Sequence, residues 1–273
     1  MTERAPLVTA ARLDDLANRA WPALETWRVG GWLVRASHGV TRRANSVLPM
    51  DDVDDLARAI DEVEEAYLSR GLRPTFQISP ASQPRSLVSH LARRGYHEEA
   101  ETLILVAPTE HVIEACGRGE HPASRVSVHE QPSDEWMSLW WDVDGRGGDT
   151  ELDVARKILL GSTSRYAQAT PGLSIADPAG GGAVEPCAVG RLALVDDWGG
   201  LFGIATSPRH RRRGHARRVV GALAREAARA GAACLWLQVL ADNENAIGLY
   251  RRLGFVPISG YTYWLAPAVG RRV

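Results

Sequence analysis

Residues 209–218 read RHRRRGHARR, set between the apolar run GLFGIAT (residues 200–206) and the pattern HARRVVGALAREAARAG (residues 215–231). Before the arginines, small and apolar residues continue for the length of a strand and stop at Ser207-Pro208, a turn signal. After them, Val219, Val220, Leu223 and Ala227 fall on one helical face, and Gly231 stands where a C-terminal cap belongs. The local order is therefore strand, short Arg/Gly loop, helix. The first turn of a helix leaves N–H groups unpaired and carries partial positive charge, which suits phosphate. Gly214 lets the backbone come close to a ligand, and Arg211, Arg212 and Arg213 add charge-assisted contacts. The loop fits a pyrophosphate, although it lacks the Gly-Lys-Ser/Thr of a P-loop.

The concentration of arginine is local. Across 273 residues, 32 basic residues face 33 acidic ones and the formal net charge is −1. A general attraction to nucleic acid or to a membrane surface needs a broad basic excess, so neither partner is expected. Apolar residues at 45% and charged ones at 24% describe an ordinary globular chain, long enough for one large domain or two modest ones. Cys116, Cys187 and Cys234 are odd in number and widely spaced, so no disulfide framework or metal knuckle follows. The opening MTERAPLVTAARLDD has no apolar signal segment, and no run is long enough to span a bilayer. A cytoplasmic location is expected.

The chain divides near its middle. APTEHVIEACGRGEHPASR (residues 107–125) is polar with Pro and Gly, and reads as a linker with a short helical piece. This places one unit at residues 1–108, a connection at 109–124 and a second unit at 125–273. In the first unit WRVGGWLVRAS and TRRANSVLP alternate like strands, DDVDDLARAIDEVEEAYLSRG reads as a helix, RPTFQIS as a strand, PRSLVSHLARRG as a helix and HEEAETLILVAP as a last strand. In the second, the strand RVSVHEQP leads to the helices SDEWMSLWWDVDG and DVARKILLGS. AVGRLALV and GLFGIATSP form a hairpin across DDWG, and DPAGGGAVEP before it reads as a long turn. CLWLQVL, NAIGLYRRLG and YTYWLAP then close the chain as strand, helix and strand. TFQIS with SLVSHLARRGY parallels LWLQVL with AIGLYRRLGF: Gly95 falls with Gly254, Tyr96 with Phe255, and Gln77 with Gln238 once a two-residue gap is allowed.

Two motifs occur in order in the second unit. The first is Arg211-Arg212-Arg213-Gly214-His215-Ala216 behind a strand ending near Pro208. The second is Asn243-x-x-Ala246-x-x-Leu249-Tyr250-x-x-x-Gly254-Phe255 behind the strand WLQVL. Together they resemble the GNAT superfamily of N-acetyltransferases, over roughly residues 125–265. The first unit resembles a degenerate GNAT domain, with NSVLPMDDVDDL in place of the Arg/Gly loop and an acidic helix start hostile to phosphate. The whole is similar to tandem GNAT proteins of high-GC bacteria. That resemblance implies an α/β fold with a mixed, mainly antiparallel central sheet flanked by helices, in two lobes of which one works.

It also implies a site. The backbone of Ile204, Ala205 and Thr206 would pair with the pantetheine arm of acetyl-CoA. The N–H groups from Arg211 through Arg212, Arg213, Gly214, His215 and Ala216 to Arg217 would hold its pyrophosphate, and Asn243 would meet the arm. Tyr250 stands at the family's general-acid position, where a hydroxyl protonates the departing thiolate. The acceptor would be an amine, of a small molecule or of a protein lysine or N-terminus, attacking the thioester directly. Many members carry a Glu where this chain has Gly200, so Asp197, or its neighbour Asp196, is the candidate base through water.

Plainer readings stand beside these. Tyr250 also suits core packing with Leu249 and Leu253, Asn243 a helix cap, His215 a solvent-facing loop position, and Trp136, Trp140 and Trp141 core packing. Asp142, Asp144 and Asp149 read as surface charge, or as a lure for a cationic amine. A non-catalytic acyl-CoA-binding regulator is the alternative to the enzyme, and a monomer or homodimer is expected.

Overall fold

A computed structural model describes residues 8–118, 124–171 and 185–268. Most of DPAGGGAVEP and part of the expected linker lie outside the described residues. Helix α1 (Ala10–Ala20), which the sequence reading left out, is capped by the Thr9 hydroxyl and buries Leu13, Leu16, Ala17 and Ala20 at helical spacing. WRVGGWLVRAS, read as extended, makes strands β1 (Glu25–Val29) and β2 (Trp32–Ala36), which pair as a hairpin. TRRANSVLP, expected as extended, instead makes a 3-10 turn at Arg42–Ala44 and a two-residue strand β3 (Leu48–Pro49). Asn45 is the cause. Its carbonyl accepts from the N–H groups of Ser37 (2.7 Å) and Gly39 (2.9 Å), and its amide donates to the carbonyls of Val40 (2.7 Å) and Thr41 (2.8 Å). One buried side chain supplies the partners that a strand ladder would otherwise provide.

Helix α2 (Leu56–Leu68) begins after the acidic run rather than within it, capped by Asp55. Strand β4 (Thr75–Ile78), helix α3 (Leu87–Arg93), strand β5 (His97–Pro108) and helix α4 (Thr109–Gly117) follow as read. The second half runs β6 (Ser124–His129), α5 (Asp134–Asp144), α6 (Asp149–Leu160), β7 (Ser164–Pro171), β8 (Ala188–Val195), β9 (Trp198–Thr206), α7 (His215–Arg229), β10 (Cys234–Leu240), α8 (Glu244–Arg252) and β11 (Val256–Leu265). β7 escaped the sequence reading because SRYAQATP is mostly small or polar, with Tyr166 its one large buried residue.

These strands form one sheet of order β4–β11–β5–β10–β9–β8–β7–β6, antiparallel throughout except for β9–β10. The small sheet β1–β2–β3 meets it through a parallel bridge from Val47 to Phe76. β5 from the first half lies between β10 and β11, and β11 from the second lies between β4 and β5. The weak repeat in the letters is a rotation about an axis between β5 and β11. Val256 faces Val106 and Leu265 faces His97, and matching Gly95 with Gly254 exchanges these two pairs. Gln77 faces Tyr263 as Gln238 faces Ile104. Each half lends the other a strand.

One sheet face carries α4, α7 and α8 over a core that includes Leu105, Leu201, Val219, Leu223, Leu235, Leu237 and Tyr250. The other carries α1, α5 and α6 over Trp21, Trp136, Trp140, Phe202, Trp236 and Tyr261. Such fully buried side chains each contribute roughly 1.5–3 kcal/mol.

A buried acid sits where α1 meets the end of β4. Burial pushes the Asp14 carboxyl up to about 6, against the lowering effects of the Ser79 hydroxyl, which donates at 2.5 Å, and of Arg35. A raised folded-state value means the native chain holds this proton more tightly than the unfolded chain does. Stability is then highest below about pH 4 and is lost as pH rises to about 6, by about 3 kcal/mol for this group. Asp14→Asn should flatten that slope and raise the denaturation midpoint at pH 7. A variant with an unchanged stability–pH profile between 4 and 6 would refute this.

Candidate functional site

β9 and β10 run parallel from the pair Trp198–Cys234 to the pair Leu201–Leu237, then part. β9 continues to Thr206 beside β8, and β10 to Leu240 beside β5. Beyond Leu201, the edge of β9 that faces β10 has no strand partner among the described residues. Its backbone around Ile204, Ala205 and Thr206 is free to pair with an extended, amide-bearing chain.

The parting coincides with a bulge. Phe202 faces Arg191 and Ala205 faces Val189, so β9 carries one residue more than β8. Gly203 within the bulge has φ +55°, and a Cβ there would lie 3.2 Å from the Trp140 indole. Both conformation and the helix above it require glycine. Trp136 and Trp140 are buried, with the Trp136 indole N–H donating to the Ala167 carbonyl at 3.0 Å. Their role here is packing, while Trp141 is half-buried.

After β9 the chain makes a 3-10 turn at Pro208–His210. It then passes through Arg212 (φ +62°) and Gly214 (φ +77°) into α7. The Arg218 N–H makes the first intrahelical bond, to the Gly214 carbonyl at 3.2 Å. The N–H groups of His215, Ala216 and Arg217 precede it, and among the described residues no side chain caps this end. Arg211, Arg212 and Arg213 are exposed around it. The start of α7 thus offers backbone donors, a left-handed glycine and exposed cations in one place.

Two residues of the loop differ from the sequence reading. His215 does not face solvent. It is the first residue of α7, buried, with its ring edge-on to His210 at 6.1 Å. Burial, with His210, Arg213 and Arg218 adding to it, holds its pKa below the usual range, so the ring is neutral near pH 7. The Arg217 side chain turns away from the loop and donates to the carbonyls of Ala115 and Arg118 at the end of α4. Only the backbone of Arg217 remains for a ligand.

Asn243 caps α8, accepting from the Ala246 N–H at 3.1 Å. Tyr250 is buried against Phe255, ring centroids 5.8 Å apart. Burial raises its hydroxyl pKa well above the usual range, and the Asp144 carboxylate acts in the same sense. This brings Asp144, at the end of α5, close to the site. Asp197 is not brought there. It lies in the β8–β9 turn, five residues before Phe202, roughly 16 Å along the strand. Its neighbour Asp196 is held by Arg19 (2.7 Å) and Arg12 (2.6 Å), which keep its carboxyl well below the usual range. Gly200 has no room for a carboxylate either, because a Cβ there would come within 2.7 Å of the Trp236 ring and 2.8 Å of the Phe202 ring.

Beside the loop, an open cleft of about 480 Å³ runs between the outer face of α5 and Ser207, Arg209 and His210, rimmed by Asp134, Glu135, Asp142 and Glu185. These carboxylates disfavour an anion in the cleft. Among the described residues no group of His, Cys, Asp and Glu is arranged to hold a metal ion, and no helix is long and apolar enough to cross a membrane.

Comparison with known proteins agrees with this geometry. Residues 10–264 match the family described as "Probable histone acetyltransferase Rv0428c C-terminal". The chain is 29% identical over 252 residues to the uncharacterized N-acetyltransferase YobR of Bacillus subtilis, covering 92% of this chain and 96% of that one. Its fold is similar to a GCN5-related N-acetyltransferase from Kribbella flavida (TM-score 0.67, 15% identity, 96% and 97% of the two chains). It is also similar to a tandem GNAT protein from the clavulanic acid biosynthesis pathway (TM-score 0.61, 14% identity, 97% and 89%). With a parted β9–β10 pair, a bulged β9 and a glycine-started α7, the chain belongs to the Rv0428c C-terminal acetyltransferase family, an acyltransferase of the GNAT fold.

Proposed function

We propose that the protein transfers an acetyl group from acetyl-CoA to an amine. The observation that carries this reading is the parting of β9 from β10 beside the uncapped start of α7. It sets free strand edge and free helix N–H groups within one ligand's length. The residues fit a CoA thioester. Ile204, Ala205 and Thr206 would pair with its amide-bearing arm. The N–H groups from Arg211 to Arg217, with the side chains of Arg211, Arg212 and Arg213, would hold the pyrophosphate.

The amine nitrogen would bond to the thioester carbonyl carbon, and the oxyanion would accept a backbone N–H from the bulge in β9. The carbon–sulfur bond then breaks and Tyr250 gives its proton to the thiolate. A hydroxyl whose pKa is raised by burial stays protonated at working pH, as a general acid requires. The amine must lose a proton. With Gly200 closed off and Asp197 distant, that proton leaves to water rather than to a carboxylate on β9.

The first half, residues 1–108, fits a degenerate copy of the second (125–273), joined through 109–124. Its acidic run Asp51, Asp52, Asp54 and Asp55 stands where α7 has arginines. A cytoplasmic protein acting without nucleic acid, as monomer or homodimer, accords with the near-neutral charge.

The filled Gly200 position favours one second reading, a regulator that binds acyl-CoA without turnover. Thiol release from acetyl-CoA with a broad amine panel separates the two. Amine-dependent release is expected of the enzyme. Tight binding with no release would leave the regulator, and an absence of binding would end both.

A further inference from the structure

Arg43 differs from the other arginines around the aromatic centre of the sheet. Its guanidinium carbon lies 5.2 Å from the Trp21 ring centroid and 5.3 Å from that of Phe202. Arg191 lies against the same two rings at 5.5 and 5.4 Å. Arg191 is fully buried and donates through its two terminal nitrogens to the Ala20 carbonyl at 3.0 and 3.1 Å and to the Ser162 hydroxyl at 2.7 Å, while its Nε has no acceptor among the described residues. Arg42 pairs with Glu99 at 2.6 Å, and Arg35 donates to Ser46 and Gln77. Arg43 is half-buried and has no such partner. Among the described residues no carboxylate pairs with it, and its buried Nε has no acceptor.

Two guanidinium groups thus flank one pair of rings, and among the described residues no anion lies between them. Cation–π contact alone returns less than a partly dehydrated, unpaired charge costs. Other polar groups on this face also lack partners among the described residues, most of them donors. The ring of Trp236 meets that of Phe202 at 5.1 Å, and its indole N–H is unpartnered. Gln238, two residues further along β10 and half-buried, takes the Tyr261 hydroxyl on its carbonyl oxygen at 3.4 Å and leaves its NH₂ unpartnered. A patch rich in donors fits a ligand that accepts, and a planar carboxylate matches the guanidinium fork.

The position of this patch gives it a role. Phe202 directly precedes the Gly203 bulge where β9 leaves β10. Phe202 and Arg43 lie on the α5 face of the sheet, opposite the face that carries α7 and Tyr250. We infer that Arg43, with Gln238, anchors a carboxylate on the acceptor, so that the enzyme acts on amines that also carry a carboxylate group, such as amino acids. On this view the first half of the chain contributes a specificity residue to the site of the second. The inference rests on the acetyl-transfer reading, and two measurements keep them apart.

The first is acetyl transfer to amino acids and to their amides. Wild type should favour the carboxylate by at least tenfold in kcat/KM. Arg43→Met should remove that preference, chiefly through KM, and Arg43→Lys should restore part of it. The second is quenching of tryptophan fluorescence, since Trp21 lies against Arg43, by phenylacetate and by phenylacetamide. Saturable quenching by the carboxylate alone, lost in Arg43→Met, is expected. If phenylacetate binds through Arg43 but no amine is acetylated, the anchor stands and the transfer reading fails. If amines are acetylated without regard to a carboxylate, or if Arg43→Met leaves the preference and the quenching unchanged, the anchor is wrong.

Discussion

Replacing Gly214 with glutamate is expected to raise the dissociation constant for acetyl-CoA at least a hundredfold, about 2.7 kcal/mol, with a small change in thermal stability. Gly214 holds φ +77° at the start of α7, a region that costs a residue with a Cβ roughly 1–2 kcal/mol. A glutamate there also sets a carboxylate among the N–H groups of His215, Ala216 and Arg217, where a pyrophosphate would sit. The same negative charge at a helix N-terminus is favourable to the helix, by about 0.3–1 kcal/mol, and offsets part of the strain. Binding and folding should therefore separate in this variant. Titration calorimetry with acetyl-CoA gives the first quantity and a melting curve the second. Gly214→Ala carries the strain without the charge and should fall between. Equal affinities for wild type and Gly214→Glu would move the pyrophosphate away from α7.

Tyr250→Phe should lower kcat by at least a hundredfold with little change in acetyl-CoA affinity, the range expected when a positioned acid is removed. The phenyl ring retains the contact with Phe255, so stability should hold. Single-turnover rates and the acetyl-CoA dissociation constant test this together. A variant with normal kcat would return Tyr250 to the core-packing role that its burial also suits.

What was legible in the sequence was local. The Arg/Gly loop follows a strand and opens a helix because Pro208 ends one pattern and the spacing of Val219, Val220, Leu223 and Ala227 begins another. Gly71 and Gly231 end their helices in the left-handed region, as their positions suggested. What was not legible depends on partners far along the chain. TRRANS alternates like a strand, but Asn45 ties it into a turn, and that turn places Arg43 on the rings of Trp21 and Phe202. His215 is buried and Arg217 diverted because α4 and His210 pack where a lone loop would be open. The Gly95/Gly254 repeat was visible. That β5 and β11 exchange places was not, because a strand's own residues do not name its neighbour.

Hydrogen exchange with and without acetyl-CoA tests the central claim most directly. Bound acetyl-CoA should slow the backbone amides of Ile204, Ala205 and Thr206 and those from Arg211 to Arg217, and leave the matching segment of the first half, from Leu48 to Asp55, unchanged. Protection confined to other elements, or none at saturating acetyl-CoA, would contradict a cofactor site between β9 and the start of α7.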